Sequence, residues 1–153
     1  MSEKTLSVSA IENGTVIDHI PAGQAVHLIT LLKLTQQKNL VTIGLNLQGK
    51  SGLKDLLKME KRRLTDVESR KIAIFAENAT INAIENYKVI EKHTVQLPDH
   101  VEGILVCPNP VCVSNQEPTD SYFYLNKKQG KVQLRCKYCE RAFDREDIKE
   151  YSA

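Results

Sequence analysis

Four cysteines constrain this chain more than any other feature. They stand at Cys107, Cys112, Cys136 and Cys139, all in the last third of 153 residues. The pattern is Cys-x4-Cys, then 23 intervening residues, then Cys-x2-Cys. Each close pair can wrap one metal ion from a tight turn, and thiolate is a favoured ligand of tetrahedral zinc. Pro108-Asn109-Pro110 and Lys137-Tyr138 supply those turns. A four-cysteine set leaves no position for a reactive water, so the spacing points to one structural Zn2+ per chain and away from catalytic zinc. Iron or an iron–sulfur cluster also suits four thiolates. The N-terminus, Met1-Ser2-Glu3-Lys4, lacks the apolar stretch of a secretory signal. The expected location is therefore cytoplasmic, where disulfides are disfavoured. A redox pair at Cys136 and Cys139 would belong to a thioredoxin-like βαβ unit, and the surrounding pattern has none. About 50 residues are too few for a large core, so the metal would supply stability.

The part without cysteine reads differently. Leu6, Val8 and Ala10 alternate with polar residues, as in a strand, and Glu12-Asn13-Gly14 marks a turn. Thr15-Val16-Ile17 opens a strand that Pro21 ends, and residues 23–34 carry apolar positions at helical spacing. Residues 40–47 predict a strand with Val41, Ile43, Leu45 and Leu47 on one face. Residues 53–60 predict another, with Lys54 and Lys58 opposite Leu53, Asp55, Leu57 and Met59, although the Leu and Lys content also suits a helix. Thr65-Asp66-Val67-Glu68 fits a capping box, opening a helix to about Ala76 with Val67, Ile72, Phe75 and Ala76 toward a core. Residues 79–92 return to extended structure. The order is βαββαβ, the ferredoxin-like arrangement of an α+β fold. Residues 93–100 read as a linker. Short strands follow at 103–106, 122–126 and 131–135, with a hairpin turn at 127–130 and a charged tail at 144–151 suited to a short helix. Two domains are expected, 1–97 and 98–153, the second a small all-β zinc-ribbon or rubredoxin-like domain.

Charge narrows the function. The chain carries 21 Lys and Arg against 19 Asp and Glu, a net charge of +2. Residues 101–153 hold eight basic and eight acidic side chains. That balance argues against gripping a nucleic acid backbone and favours protein contact. No apolar run reaches the roughly 18 residues of a membrane span. No phosphate-loop glycine motif, nucleophile elbow or His-Glu-x-x-His occurs, so no catalytic constellation is expected. Asp18 and His19 near a strand end, Lys54 and Lys58 on one face, and Lys92 could hold phosphates and sugar hydroxyls. Taken singly, each is the kind of residue found on a solvated surface, as is the run Lys61-Arg62-Arg63. Neither His27 nor His100 has a partner in the pattern. Tyr122, Phe123, Tyr124 and Phe143 suit packing around the metal, or a partner surface.

Segments in order along nearly the whole chain resemble one family. Gly14-Thr15-Val16-Ile17-Asp18-His19-Ile20-Pro21-Ala22, Thr42-Ile43-Gly44-Leu45-Asn46-Leu47, Lys54-Asp55-Leu56, Asn86-Tyr87, Val106-Cys107-Pro108-Asn109 and Cys136-Lys137-Tyr138-Cys139-Glu140 are similar to the regulatory chain of aspartate carbamoyltransferase. The resemblance implies a non-catalytic, allosteric chain of pyrimidine synthesis, dimeric through its N-terminal domain. Its zinc domain would dock on a separate catalytic chain. CTP would inhibit, ATP would activate, and UTP would assist CTP. His19 and Lys92 would face phosphates, Asp18 and Lys58 the ribose, with Lys54 nearby. Ile11 and Tyr87 would read the base through backbone groups, with Asn82, Ile84 and Val89 lining the pocket. Cys107, Cys112, Cys136 and Cys139 match the zinc ligands, and Asn109 and Glu140 match positions facing the catalytic chain. The chain departs from the family pattern at Thr94 and Thr5, where basic residues are usual, at Val111, and in a loop at 48–53 that is one residue shorter. A stand-alone zinc ribbon acting on nucleic acid, or a redox protein using Cys136 and Cys139, are the competing readings.

Overall fold

The computed structural model describes residues 10–152. Thr5, Leu6 and Val8, expected at or beside an opening strand, lie outside them. The chain divides into two compact units, with the boundary between Leu97 and Pro98.

The first unit contains β1 (Gly14–Pro21), α1 (Ala25–Leu31), β2 (Val41–Gly49), β3 (Gly52–Glu60), α2 (Asp66–Phe75), β4 (Thr80–Glu85) and β5 (Lys88–Thr94). One antiparallel sheet has the order β2-β3-β1-β4-β5. The connection through α1 passes over β3, and the one through α2 passes over β1. Two interleaved βαβ units result, the ferredoxin-like arrangement with one strand added. Ile17 and Leu57 in the sheet, and Leu28, Ile72 and Phe75 in the helices, have no exposed surface and form the core. Alternation then places Val16, Asp18, Lys54, Leu56 and Lys58 on the sheet face opposite to Ile17 and Leu57.

The elements form for local reasons. The capping box at α2 is present: the Glu68 N–H donates to Thr65 Oγ1 at 3.1 Å, and the Thr65 N–H donates to Glu68 Oε1 at 3.1 Å. Residues 53–60 are strand, because β3 is flanked on both sides by β1 and β2. A Cβ on Gly14 would stand 2.1 Å from the Met59 carbonyl oxygen, so only glycine lets β1 approach β3 there.

Several sequence expectations need correction. Extended structure at 79–92 is a hairpin, because Asn86 (φ 51°) and Tyr87 (φ 66°) form a tight turn with two left-handed residues. A bulge in β2 between Gly44 and Leu47 breaks its alternation. Leu47 therefore shares a face with Gly44, not with Val41 and Ile43. The helix expected at 23–34 is Ala25–Leu31 followed by a 3-10 turn at Leu34–Gln36. Val67 is 54% exposed, and the core face of α2 comes from Ile72, Ala73, Ile74 and Phe75. Arg62 is no solvated loop residue. Its guanidinium donates to the Leu32 carbonyl, Gln37 Oε1 and Glu68 Oε2, tying the loop to both helices.

The second unit holds β6 (His100–Glu102), α3 (Val113–Gln116), β7 (Tyr122–Lys128), β8 (Lys131–Cys136) and β9 (Ala142–Asp144), in a sheet of order β6-β7-β8-β9. The strand expected at 103–106 lies instead at His100–Glu102, and Leu105 makes only an isolated bridge to Tyr151. That shortens the linker to residues 95–99. The tail expected to be helical at 144–151 follows β9 and holds a 3-10 turn at Arg145–Asp147 and the isolated bridge at Tyr151. Gln129 and Gly130 close the β7–β8 hairpin with two left-handed residues.

Candidate functional site

Two groups of residues carry the chemistry, one in each unit. In the first unit, β1 bulges between Ile17 and Ile20, where His19 adopts φ 61°. The bulge turns Asp18 toward β3, and its carboxylate pairs with Lys54 Nζ at 2.9 Å. The His19 N–H donates to Asp18 Oδ1 at 2.7 Å. Burial alone would raise the Asp18 carboxyl. The hydrogen bonds and charge supplied by Lys54 and His19 outweigh it, holding the group below its ordinary value. The His19 ring meets Thr80 Oγ1 at 3.3 Å through Nδ1.

One register row crosses the sheet from Lys58 through Val16 and Asn82 to Lys92. Cross-strand partners share a face, so both ammonium groups belong to the face that carries Asp18. Lys58 is nearly buried, and desolvation depresses its pKa while the Asp18 charge pulls it back. Asn82 Nδ2 donates to the Val16 carbonyl at 3.2 Å. A cleft of about 310 Å³ is lined by Ile11, Lys58, Asn82, Ile84, Tyr87 and Val89, together with Val16 and Leu56. His19 and Lys54 line a second, larger cavity of about 870 Å³ with the β2–β3 loop, residues 48–53. Asp18 lines neither cavity, but it pairs with Lys54 of the larger one and its charge acts on Lys58 of the smaller. Lys92 lines neither cavity but lies in the same row as Lys58 and Asn82.

Sequence reasoning did not single out Asp55. This fully buried carboxylate accepts three backbone N–H groups: Gly23 at 2.9 Å, Ala25 at 3.2 Å and Asn46 at 3.0 Å. It anchors the start of α1 and the bulge of β2 beside Lys54. The signal was a lone acid on the apolar face of a strand, among Leu53, Leu57 and Met59. Thr80, the partner of His19, carries no local signal, since only the fold brings them together.

In the second unit the four cysteine sulfurs lie within 4.8 Å of one another. The Cys107–Cys139 and Cys112–Cys136 separations are 3.8 Å and 3.6 Å. A tetrahedron built on zinc–sulfur bonds of ~2.3 Å has edges of about 3.8 Å, so the donor set fits such an ion. Burial and the neighbouring sulfurs push the Cys107 and Cys136 thiols up. At Cys112 burial acts the same way, but hydrogen bonds with Ser114, Cys136 and Cys107 together outweigh it and bring the thiol down to about 7. Sulfurs this close hold four negative charges only around a cation.

Local bonds shape both turns. Asn109 is buried, and its side-chain oxygen accepts the Val111 N–H at 3.2 Å. Asn115 Nδ2 donates to the Cys107 and Asn109 carbonyls at 2.9 and 2.8 Å. Glu140 is exposed at φ 63°, and its N–H closes the second turn onto the Cys136 carbonyl at 2.9 Å. The two histidines without expected partners have ring contacts. His27 stacks on Phe75 at 4.5 Å, and His100 stacks on Tyr122 at 5.2 Å. Phe123 is fully buried and pairs in register with Cys136, while Tyr124 is 40% exposed.

Comparison with known proteins gives matches in both units. Residues 6–96 match the family model described as the aspartate carbamoyltransferase regulatory chain, allosteric domain. Residues 99–149 match the metal binding domain of the same regulatory chain. A curated aspartate carbamoyltransferase regulatory chain from Yersinia enterocolitica is 50% identical over 144 residues, covering 94% of each chain. One from Aeromonas hydrophila is 44% identical over 152 residues, covering 98% of this chain and 99% of the relative. One from Chromobacterium violaceum is 46% identical over 147 residues, covering 95% and 97%.

Proposed function

Because the chain belongs to the family of aspartate carbamoyltransferase regulatory chains, with its allosteric and metal-binding domains, we propose that it senses nucleotides for a separate catalytic chain. CTP inhibits, ATP activates, and UTP assists CTP, all at the N-terminal unit, residues 1–97. The observation that carries this reading is the sheet row from Lys58 to Lys92 with Asp18 on the same face. Cations there suit phosphates, the carboxylate suits ribose hydroxyls, and the cleft under Ile11, Tyr87 and Val89 suits a base. His19 and Lys92 face the phosphates. Asp18 and Lys58 face the ribose, with Lys54 holding Asp18.

Residues 98–153 bind one structural Zn2+ through Cys107, Cys112, Cys136 and Cys139. The ion draws two turns together and supplies stability to a unit with a small core. Asn109 and Glu140, one in each turn, face the catalytic chain. Two regulatory chains pair through their N-terminal units. The edge strand β2 supports this, since Ile43 and Leu45 are exposed there with Leu40 and Leu53 beside them. The assembly acts in the cytoplasm, in pyrimidine synthesis. No helix among the described residues is long and apolar enough to cross a membrane.

The test is direct. Calorimetric titration of the chain with CTP and with ATP should show one competitive site, weakened at least tenfold by Lys92→Ala. Mixing with the catalytic chain should give a stable complex. Failure of both nucleotides to bind, together with no complex, overturns the proposal.

A further inference from the structure

The two turns that carry the cysteines are closed in different ways. The turn from Cys136 to Cys139 closes on its own backbone, where the Glu140 N–H donates to the Cys136 carbonyl at 2.9 Å. Strands β8 and β9 stand on either side of it, and Cys136 has no exposed surface. The loop from Cys107 to Cys112 is two residues longer, and no strand adjoins it. Within its backbone the Cys112 N–H donates to the Asn109 carbonyl at 3.0 Å. The added length leaves further carbonyls that need donors from elsewhere.

Helix α3, which follows Cys112 directly, supplies them from its side chains. Asn115 Nδ2 donates to the Cys107 carbonyl at 2.9 Å and to the Asn109 carbonyl at 2.8 Å. Gln116 Nε2 donates to the Pro110 carbonyl at 3.0 Å. Ser114 Oγ lies 3.2 Å from Cys112 Sγ. A metal-bound thiolate has no proton, so the hydroxyl is the donor in that pair. None of the residues of α3 is buried, and four residues are too few to hold a helix by backbone bonds alone. Hydrophobic burial therefore does not explain the position of α3. Its polar contacts with the cysteine loop do.

We propose that α3 is the latch of the metal site, with Asn115 and Ser114 as its positioning residues. Asn115 holds the first cysteine loop in the shape that presents Cys107 and Cys112 together, and Ser114 hydrogen-bonds the Cys112 sulfur. This role rests on the zinc binding proposed above and adds a difference between the two halves of the site. The half built on β8 and β9 is fixed by the sheet. The half built on Cys107 and Cys112 is fixed by one amide that grips the start and the middle of its loop from beyond its end. Exchange of the ion therefore begins with opening of the first loop, and Asn115 sets how often that happens. Groups in this position orient the ligands of a metal without touching it.

The experiment uses the full chain loaded with Zn2+ or with Co2+. Zinc affinity and zinc release are read against a chromogenic chelator. Asn115→Ala is expected to weaken zinc affinity about 10–100-fold and to speed release by a similar factor. Should that variant fail to fold with zinc, Ser114 carries the test. In the cobalt-loaded chain, Ser114→Ala should move the sulfur-to-cobalt charge-transfer band to longer wavelength, because the sulfur loses a hydrogen bond that stabilises its lone pair. Ser114→Thr, which keeps the hydroxyl, should restore the band. A merely structural role for Ser114 would not move it. Wild-type zinc affinity and release in a folded Asn115→Ala would overturn the inference while leaving the zinc site standing. So would an unmoved band in Ser114→Ala, or a shifted one that Ser114→Thr fails to restore. A wild-type chain that takes up neither zinc nor cobalt would instead overturn the zinc binding itself, and this inference with it.

Discussion

At the scale of residues, Asp55 shows how one side chain can organise a site it does not line. Its carboxylate holds N–H groups from the start of α1 and from the bulge of β2, while its neighbour Lys54 holds Asp18 on the other face. Removing a buried acceptor strands its donors, so Asp55→Ala should destabilise the first unit by about 2–4 kcal/mol. Urea unfolding measures this, and a loss under about 1 kcal/mol would contradict the role. Lys58 gives a pH prediction. Its folded pKa lies below the ordinary 10.5, so its charge opposes folding at neutral pH, and that cost fades as pH rises through the folded value. A bound triphosphate should raise the value again. Nucleotide binding just below pH 10.5 should therefore take up protons, and Lys58→Gln should reduce the uptake. Calorimetry in buffers of different ionisation enthalpy reads it, and equal heats in all buffers would contradict the assignment. The residue types were legible in sequence because Asp, His and Lys announce their chemistry. Their pairings were not. Asp18 reaches Lys54, and His19 reaches Thr80, only because a bulge and two long-range registers bring them together.

At the scale of elements, legibility followed the range of the signal. The capping box of α2 spans four residues, and the structure contains it as the sequence implied. Thr65→Ala should cost about 1 kcal/mol, read as a shift of the urea midpoint. No shift would mean that tertiary contacts alone hold the helix end. The hairpin of β4 and β5 was missed, because Asn86-Tyr87 is not the Asn-Gly pair that usually signals a tight turn. The bulge in β2 was missed for a different reason. Val41, Ile43, Leu45 and Leu47 alternate with Thr42, Gly44 and Asn46 as in an unbroken strand, and only the pairing with β3 reveals the irregularity. Gly14 joins the two scales. Gly14→Ala would drive a Cβ into the Met59 carbonyl and force β1 away from β3. The row from Lys58 to Lys92 crosses the same β1–β3 pair two residues away, so nucleotide affinity should fall with stability in this variant.

At the scale of the whole molecule, the two units are stabilised by different chemistry. The first has a core of fully buried aliphatic and aromatic side chains, and the second gathers four sulfurs around one point. Metal removal should therefore unfold residues 98–153 while leaving the first sheet intact, which amide exchange would resolve unit by unit. A mercurial reagent on the same thiols should release the catalytic chain, and a complex that survives complete zinc loss would contradict the docking account. The cysteine spacing made this unit legible, yet its sheet face was not. Tyr122 and Tyr124 read equally well as packing residues until the register placed Phe123 inward and both tyrosines outward. Regulation requires that nucleotide bind the two states of the assembly with different free energy. The most direct test is aspartate saturation of the chain reconstituted with its catalytic partner, under CTP, ATP or no nucleotide. The account predicts that CTP moves half-saturation to higher aspartate, that ATP moves it lower, and that Lys92→Ala flattens both responses. Superimposable curves, under conditions where calorimetry shows the nucleotides bound, would contradict it.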